Sequence, residues 1–229
     1  MSVKATQRGR TRKRILVVDD HPILREGLLQ SINREPDLMV CGEAEDAHQT
    51  LETIRKLKPD LVLVDIGLPG KSGFELVKDV RMAHPELLVL VLSMHDESLY
   101  AERVLRAGAR GYIMKQERPG KLIEAIRTVL DGKAYVSERM ASRILDVFSG
   151  RRPKGSRVPV ERLTDREFEI LELIGRGNSS REVAKALHLS VKTVDTHRTH
   201  LKGKLKLKSA LQLTHYAVCW VGGQNAPRA

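Results

Sequence analysis

The sequence predicts an α/β protein in which a doubly wound, five-stranded parallel sheet precedes a small all-α domain. Between residues 15 and 130, short apolar runs alternate with segments of helical periodicity, which is the pattern of successive βα units. The remainder of the chain is instead rich in helix-start signals. With 229 residues, the chain is long enough for two such domains.

Each predicted strand is an apolar run, and each predicted helix has apolar residues at helical spacing. The run at 61–64 is apolar at every position, which is typical of a strand covered on both faces. The predicted strands are residues 15–18, 38–43, 61–64, 87–93 and 111–114. The predicted helices of this part are residues 22–33, 47–57, 74–83, 99–107 and 121–130.

Charge divides the chain in the same way. Residues 15–148 carry 18 basic and 22 acidic groups, whereas residues 161–229 carry 12 basic and seven acidic groups. A basic second domain suggests a polyanionic partner, although a solvated basic surface has the same composition. The two cysteines lie far apart, no signal peptide opens the chain and no apolar run is long enough to span a membrane. We therefore expect a cytoplasmic protein that does not bind a membrane.

Reactive side chains follow four of the predicted strands. Asp19 and Asp20 follow the first strand, Asp65 the third and Lys115 the fifth, while Ser93 ends the fourth. Because parallel strands end at one edge of the sheet, these groups should meet there. Three carboxylates repel one another unless a cation joins them, and hard oxygen ligands suit Mg²⁺. Asp65 is then a plausible nucleophile for an aspartyl phosphate.

Four segments around these residues resemble the signature segments of bacterial two-component receiver domains. They are VVDDHPILREGL, VDIGLPGKSG, VLSMHDE and AGARGYIMK, and they are spaced as in that family over residues 14–131. The resemblance implies a flavodoxin-like receiver in which a sensor histidine kinase phosphorylates Asp65. Magnesium would be held by Asp19, Asp20, Asp65 and the Gly67 carbonyl. Ser93 and Lys115 would contact the phosphoryl group, and Tyr112 would be the switch aromatic.

The chain changes character after residue 131. Ser137 is a candidate cap for a short helix, and residues 149–160 form a linker rich in Gly, Pro, Ser and Arg. Beyond the linker, Thr164, Ser179 and Ser209 each stand three residues before Glu or Gln, which is the capping-box spacing. These signals predict helices at 165–175, 180–188, 191–206 and 210–220. The short break between the second and third suits a helix-turn-helix.

The third of these helices has two unlike sides. We expect Val191, Val194, Leu201 and Leu205 to pack inward, because they recur at helical spacing. The opposite side is polar and narrow enough to enter the major groove of DNA, although a solvated face would show the same pattern. The candidate DNA contacts on and beside it are Lys192, Thr193, Asp195, Thr196, Thr199 and Lys202.

The segment that begins LTDREFEILELIGRGNSSREVAKALHLSVKTVDTHRTHL resembles the LuxR-type helix-turn-helix across residues 161–222. With the receiver in front, the whole chain resembles a NarL/FixJ-family response regulator. That resemblance implies binding to double-stranded promoter DNA as a homodimer when phosphorylated or DNA-bound. In that family the last helix, which here presents Leu213, Tyr216, Ala217 and Trp220, can form the dimer contact on DNA, whereas core packing explains Leu213 and Ala217 at least as well.

The expected organisation is therefore a basic tail at 1–13, a receiver at 14–131, a helix and linker at 132–160, the DNA-binding domain at 161–222 and a tail at 223–229. We expect a phosphorylation-controlled transcription regulator rather than a classical enzyme, with catalysis limited to self-phosphorylation from small phosphodonors and autodephosphorylation. Two alternatives stay open. A haloacid-dehalogenase-type phosphatase would need an acid where Gly67 stands, and a constitutive DNA-binding protein would carry a vestigial receiver.

Overall fold

The computed structural model describes residues 12–95, 97–149 and 159–225. They belong to two compact units, Met1–Ile144 and Leu145–Ala229. The expected basic tail before residue 12, residues 150–158 of the expected linker and the last four residues lie outside the described part of the chain. Among the helices of the described residues, none is long and apolar enough to cross a lipid bilayer.

The first unit contains five βα repeats and the beginning of one further helix. Its elements are β1 (Lys13–Val18), α1 (Pro22–Asn33), β2 (Leu38–Ala44), α2 (Ala47–Leu57), β3 (Leu61–Asp65), α3 (Gly73–Ala83), β4 (Leu88–Ser93), α4 (Glu97–Ala107), β5 (Gly111–Met114) and α5 (Pro119–Leu130). The helix α6 (Glu138–Phe148) follows, and it spans the division between the two units. The Ser137 hydroxyl accepts a hydrogen bond from the Met140 amide, so the predicted cap of α6 is confirmed.

The five strands form one parallel sheet in the order β2-β1-β3-β4-β5. The chain passes from β1 outward to β2 and then returns to the other side of β1 to form β3. The predicted doubly wound parallel sheet is therefore confirmed. All five residues of β3 are buried, as expected for a central strand with helices on both faces.

Several helix bounds differ from the predicted ones for local reasons. The helix α5 begins at Pro119 rather than at residue 121, because proline is well suited to the first position of a helix. The helix α3 begins at Gly73, where Ser72 and Glu75 form a capping box that the sequence reading did not identify. The strand β1 begins two residues early, at Lys13, whose amide donates to the Asp37 carbonyl.

The second unit is helical throughout its described part. A short 3-10 turn (Pro159–Arg162) leads into α7 (Asp165–Gly175), α8 (Ser180–Ala186), α9 (Val191–Leu205) and α10 (Ala210–Asn225). The predicted capping boxes of α7 and α8 are confirmed, with Thr164 and Ser179 as caps. At the start of α10, Ser209 accepts from the Gln212 amide, but the Gln212 side chain accepts from Lys208 rather than from Ser209.

The turn between α8 and α9 ends α8 earlier than predicted. His188 has φ 53°, in the left-handed region, and the Leu189 amide donates to the Ala184 carbonyl, so the helical hydrogen-bond pattern stops there. The buried side chains Val183, Ala184 and Val194 lie on the two helices that this turn joins. The result is the predicted helix-turn-helix, with α9 as its second helix.

The helices α7 and α10 approach each other closely. A Cβ atom added to Gly175 would lie 2.5 Å from the Ala217 carbonyl oxygen, so only glycine fits at this position. Phe168 and Trp220 meet nearby in an edge-on contact, with ring centroids 5.4 Å apart. This pair joins α7 to the last helix of the chain.

Candidate functional site

The predicted reactive groups meet between β1 and β3, where the chain changes the side of β1 on which it adds strands. The strands β1 and β3 are neighbours, and Val18 lies opposite Val64. One residue further along, Asp19 and Asp65 therefore come side by side at the carboxyl edge of the sheet. This is the switch point at which doubly wound proteins bind ligands.

A buried lysine joins these two carboxylates. The Nζ atom of Lys115 lies 2.7 Å from Oδ2 of Asp19 and 2.8 Å from Oδ2 of Asp65. The Lys115 amide donates to the Ser93 carbonyl, which fixes the lysine beside the end of β4. All three charged side chains are at most 6% exposed. The sequence-predicted grouping of Asp19, Asp65 and Lys115 is present in the structure.

Burial and charge act against each other in this cluster. Burial raises the pKa of the Asp65 carboxyl, and the neighbouring Lys115 ammonium reduces that rise without cancelling it. Burial alone would lower the pKa of Lys115, but the Asp65 and Asp19 carboxylates outweigh it and raise that pKa. The lysine therefore stays charged, and it supplies a positive charge between two acids that would otherwise repel each other.

The donor set around Asp65 fits a divalent cation. Ligand atoms of Asp19, Asp20, His21 and Asp65 all lie within 4.8 Å of one another. Three of these donors are carboxylates, which are the ligands that Mg²⁺ prefers in proteins. His21 was not predicted as a site residue, and its Nδ1 lies 2.7 Å from Oδ1 of Asp20 and 3.3 Å from Oδ1 of Asp19. Its position directly after the acidic pair was the available signal.

Two of the glycines that follow Asp65 lie close to it. The Gly67 amide donates to Oδ1 of Asp65 at 3.2 Å, and a Cβ atom at Gly67 would lie 3.5 Å from Oδ2 of the same carboxylate. At the end of the loop, a Cβ atom at Gly73 would lie 2.4 Å from the Asp65 carbonyl oxygen. Gly73 therefore allows α3 to begin directly against the backbone of Asp65, and Gly67 leaves the space beside its carboxylate open.

The predicted switch residues are already packed together. Tyr112 is 1% exposed and lies in the inward position, with its hydroxyl donating to the His95 carbonyl at 2.8 Å. The Ser93 hydroxyl accepts from the His95 amide, and the His95 ring stacks on Tyr100 with centroids 4.5 Å apart. His95 thus links Ser93 to Tyr112, and this link was not predicted from the sequence, because it depends on how the loop after β4 folds.

In the second unit, α9 has a buried side and an exposed side. Val194, Leu201 and Leu205 are buried as predicted, whereas Val191 is 40% exposed, so the prediction for that residue was wrong. Val191 is the first residue of α9 and precedes the part of the helix that the other helices cover. Of the candidate DNA contacts, four are exposed and two are half-buried: Lys192, Asp195, Thr196 and Thr199, and then Thr193 and Lys202.

Hydrogen bonds orient several of these side chains. The Thr196 and Thr199 hydroxyls donate to the Lys192 and Asp195 carbonyls of their own helix. This uses their donor capacity within α9 and leaves their methyl groups for apolar contacts. The Asp195 carboxylate accepts from the Ser180 hydroxyl at 3.0 Å, so it bridges the two helices of the motif. Ser180 was not among the predicted site residues.

The buried and exposed residues of α10 do not coincide with the predicted dimer face. Leu213 and Ala217 are fully buried within their unit, which supports core packing for both. Trp220 packs on Phe168. The large apolar side chains that α10 exposes are Leu211, at 80%, and Val218, at 48%. The exposed surface of α10 therefore includes Leu211 and Val218, which were not predicted to lie on a dimer face.

Comparison with known proteins matches both units to described families. Residues 15–127 match the response regulator receiver domain, and residues 161–217 match the bacterial regulatory proteins of the luxR family. The oxygen regulatory protein NreC of Staphylococcus aureus strain JH9 is 36% identical over 209 residues. That alignment covers 90% of this chain and 96% of NreC.

Solved structures agree with this assignment. The RcsB response regulator of Salmonella typhimurium shares 27% identity over 92% of this chain and 98% of its own, with a TM-score of 0.64. RcsB bound to promoter rprA in the presence of the phosphomimetic BeF3⁻ has a TM-score of 0.60 at 27% identity, over 91% of this chain and 99% of its own. A LuxR-family response regulator from Aurantimonas sp. SI85-9A1 is 36% identical over 61% of this chain and 99% of its own, with a TM-score of 0.57.

The two family matches exclude one alternative that the sequence left open, the haloacid-dehalogenase-type phosphatase, because both belong to DNA-binding response regulators. The receiver match, the luxR match and the alignment with NreC, which is 36% identical over 90% of this chain, point to the same assignment. The chain belongs to the NarL/FixJ family of two-component response regulators, with a receiver domain followed by a LuxR-type DNA-binding domain.

Proposed function

We propose that a sensor histidine kinase phosphorylates this regulator on Asp65 and that phosphorylation controls its dimerisation and its binding to promoter DNA. The observation that carries the proposal is the buried contact of Lys115 with both Asp19 and Asp65 at the switch point of the sheet. Removing these three charged side chains from water costs free energy that their pairing does not reliably recover, so a gain in stability alone is a poor explanation for the cluster. An enclosed, charge-balanced carboxylate is instead suited to accept a phosphoryl group.

In the proposed reaction, a carboxylate oxygen of Asp65 forms a bond to phosphorus while the bond from phosphorus to the donor's nitrogen or oxygen breaks. Asp19, Asp20, Asp65 and the Gly67 carbonyl would hold Mg²⁺, which when bound supplies positive charge for the phosphoryl oxygens. The Lys115 ammonium and the Ser93 hydroxyl would contact the phosphoryl oxygens that remain. The same chemistry would allow self-phosphorylation from small donors and later hydrolysis.

Signal output would begin at Ser93. If its hydroxyl turns to the phosphoryl group, the bond from the His95 amide is lost, and His95 is also the residue whose carbonyl accepts from Tyr112. Two states of this loop would then differ in the surface of the receiver.

We propose the borders 14–131 for the receiver and 161–222 for the DNA-binding domain.

On DNA, we propose that α9 enters the major groove and that Lys192, Thr193, Asp195, Thr196, Thr199 and Lys202 contact bases and phosphates. The exposure of Lys192, Asp195, Thr196 and Thr199 supports this. RcsB has been described as dimers bound to DNA, and we extend dimeric promoter binding to this chain. Because the kinase delivers phosphate in the bacterial cytoplasm and the chromosome is there, we place the protein in that compartment.

Labelling with radioactive acetyl phosphate and Mg²⁺ tests the phosphoacceptor. Wild-type protein should take up one radioactive phosphoryl group per chain, and Asp65→Asn should take up none, because it has lost the nucleophilic carboxylate oxygen. Asp131→Asn, which alters an exposed carboxylate at the end of α5, should label like the wild type. A labelled Asp65→Asn protein would refute the assigned site.

Selection of bound fragments from genomic DNA, with and without acetyl phosphate, tests the output. Phosphorylated wild type should enrich a defined set of fragments that Asp65→Ala does not enrich. If Asp65→Ala and phosphorylated wild type bind the recovered fragments with equal affinity, the receiver is vestigial and DNA binding is constitutive. That outcome would favour the alternative kept open from the sequence.

A further inference from the structure

Arg25, on the first turns of α1, makes three side-chain contacts beside the acidic pair. Its Nη1 donates to the Asp19 carbonyl oxygen at 2.6 Å, its Nε donates to Glu43 at 2.8 Å and its Nη2 donates to Glu45 at 2.8 Å. Glu43 belongs to β2, and Glu45 directly follows that strand. One guanidinium group therefore connects the start of α1, the end of β1 and the end of β2.

The three contacts differ in burial. Arg25 is 11% exposed, whereas Glu43 is 44% and Glu45 is 61% exposed. Ion pairs with exposed carboxylates add little to stability, because water screens them. The contact with the Asp19 carbonyl is part-buried, and Asp19 itself is fully buried. Glu43 and Glu45 orient the Arg25 guanidinium, and the guanidinium holds the Asp19 carbonyl in place.

The Asp19 carbonyl belongs to the peptide that joins the two acids. A peptide group is planar, so fixing its oxygen also fixes the amide nitrogen and the Cα atom of Asp20. The other polar atoms of Asp19 are engaged as well: its amide donates to Ala44, Oδ1 accepts from the His21 amide and Oδ2 accepts from Lys115. Arg25 thus completes the contacts that set the direction in which Asp20 leaves the strand.

We infer that Arg25 is a positioning residue for the divalent cation, acting through the peptide between Asp19 and Asp20. The inference rests on the proposed function, since it assigns to Arg25 a part in holding the acidic pair for Mg²⁺. Residues behind the ligands of a metal site keep those ligands in the geometry that the ion needs. Arg25 touches no reacting group, so its loss should weaken ion binding without removing the nucleophile.

The other end of β2 offers a matched control. Arg127, on α5, also bridges two acids, with its guanidinium bonded to Glu35 and to both carboxylate oxygens of Asp37. These acids lie just before β2 begins, at the opposite edge of the sheet from Asp19 and Asp65. The variants Arg25→Ala and Arg127→Ala therefore each remove a bridging arginine, and only the first touches the acidic pair.

The test is calorimetric titration of the full-length protein with Mg²⁺, after circular dichroism has confirmed that each variant is folded. Arg25→Ala should bind Mg²⁺ roughly 10- to 100-fold more weakly than the wild type, the range usual for residues behind metal ligands. Arg127→Ala should bind Mg²⁺ like the wild type. Arg25→Lys keeps the charge but cannot reach three acceptors with a planar fork, so its affinity should be intermediate.

Labelling by acetyl phosphate gives a second readout. Arg25→Ala should label slowly at a limiting Mg²⁺ concentration and approach the wild-type rate when Mg²⁺ is saturating, because only the affinity for the ion has changed. A general loss of structure would lower the rate at every Mg²⁺ concentration. If Arg25→Ala does not fold, Arg25→Lys carries both measurements.

Two results would overturn the inference: unchanged Mg²⁺ affinity in the folded Arg25 variants, or an equal loss of affinity in Arg25→Ala and Arg127→Ala. Both leave the proposed phosphorylation intact, provided that the wild type binds Mg²⁺ and is labelled. A wild-type protein that neither binds Mg²⁺ nor accepts phosphate contradicts the proposed function itself. The two failures are therefore distinguishable.

Discussion

In the receiver unit, the side chains proposed to react are buried and paired with one another, whereas in the helix-turn-helix unit the side chains proposed to contact DNA are mostly exposed. Lys115 is 4% exposed and contacts two acids, while Lys192 is exposed on α9. The first arrangement links function to the stability of the fold. The second separates them, since the stability of α9 depends on its opposite side.

Replacing Lys115 should have the largest effect on stability. Lys115→Met leaves Asp19 and Asp65 buried without their common cation, and removing one partner of a buried ion pair costs about 3–5 kcal/mol. Calorimetric unfolding of the receiver in the presence of a chelator measures this. Added Mg²⁺ should stabilise the variant more than the wild type, because the ion restores positive charge to the cluster.

The exposed Lys121→Met variant, which alters a surface pair with Glu124, is the control and should unfold like the wild type. If Lys115→Met unfolds at the wild-type temperature without Mg²⁺, burial and function are not linked at this site. The contrast with the DNA-binding helix would then be lost.

Within α9, the buried and exposed sides should respond very differently to truncation. Leu201→Ala removes a fully buried side chain and should lower the free energy of unfolding by about 2–5 kcal/mol. Thr196→Ala, on the exposed side, should change it by less than about 0.5 kcal/mol. Urea unfolding followed by the fluorescence of Trp220, the only tryptophan, measures both. Similar losses in the two variants would contradict the separation of stability from DNA contact.

Gly67→Asn probes the reaction without altering the core. A side chain at this position begins 3.5 Å from Oδ2 of Asp65, so it should obstruct water near an aspartyl phosphate and prolong its lifetime several-fold. Decay of the label after removal of acetyl phosphate measures the lifetime. The same substitution at Gly203, on α9, should have no effect. An unchanged lifetime in Gly67→Asn would refute the role assigned to the missing side chain.

The smallest expected effect concerns pH and His197 on α9. Burial lowers the pKa of His197, and the positive charge of Arg166 adds to this, although Glu167 opposes it. The unfolded chain then binds a proton more readily than the folded one, so this contribution to stability is complete above the ordinary pKa of 6.5 and falls as the pH drops below it. No hydrogen-bond partner for Nδ1 of His197 is present among the described residues.

Urea midpoints of the second unit, measured by Trp220 fluorescence between about pH 7.5 and pH 5, should therefore fall more for the wild type than for His197→Gln. The exposed variant His215→Gln should follow the wild-type curve. Equal curves for wild type and His197→Gln would show that His197 does not contribute to the pH dependence.

The sheet and most of its site were predictable from the sequence because their signals are local. Apolar runs give the strands, and a charged residue directly after such a run must lie at the edge of the sheet, which was enough to bring together Asp19, Asp65 and Lys115. The helix-turn-helix was predictable for a similar reason, since Ser179 and Glu182 mark the start of α8 within a few residues.

The residues that were missed act across distances that sequence spacing does not encode. Arg25 reaches the end of β2, and Ser180 reaches Asp195 on the next helix, only because the chain folds back on itself. For Leu213 the sequence left two interpretations open, a dimer contact and core packing, and its full burial supports core packing. Helical spacing shows which residues share a side of a helix, but it does not show whether the chain's own core or a partner covers that side.

The left-handed residue in the turn between α8 and α9 has an energetic consequence. A residue with a Cβ atom costs roughly 1–2 kcal/mol in this region, and His188 occupies it where glycine would meet no steric clash. The local backbone therefore resists the turn, and the burial of Val183 and Val194 must oppose that strain. A mutation that weakens the packing of Val183 or Val194 should therefore also make this turn less favourable.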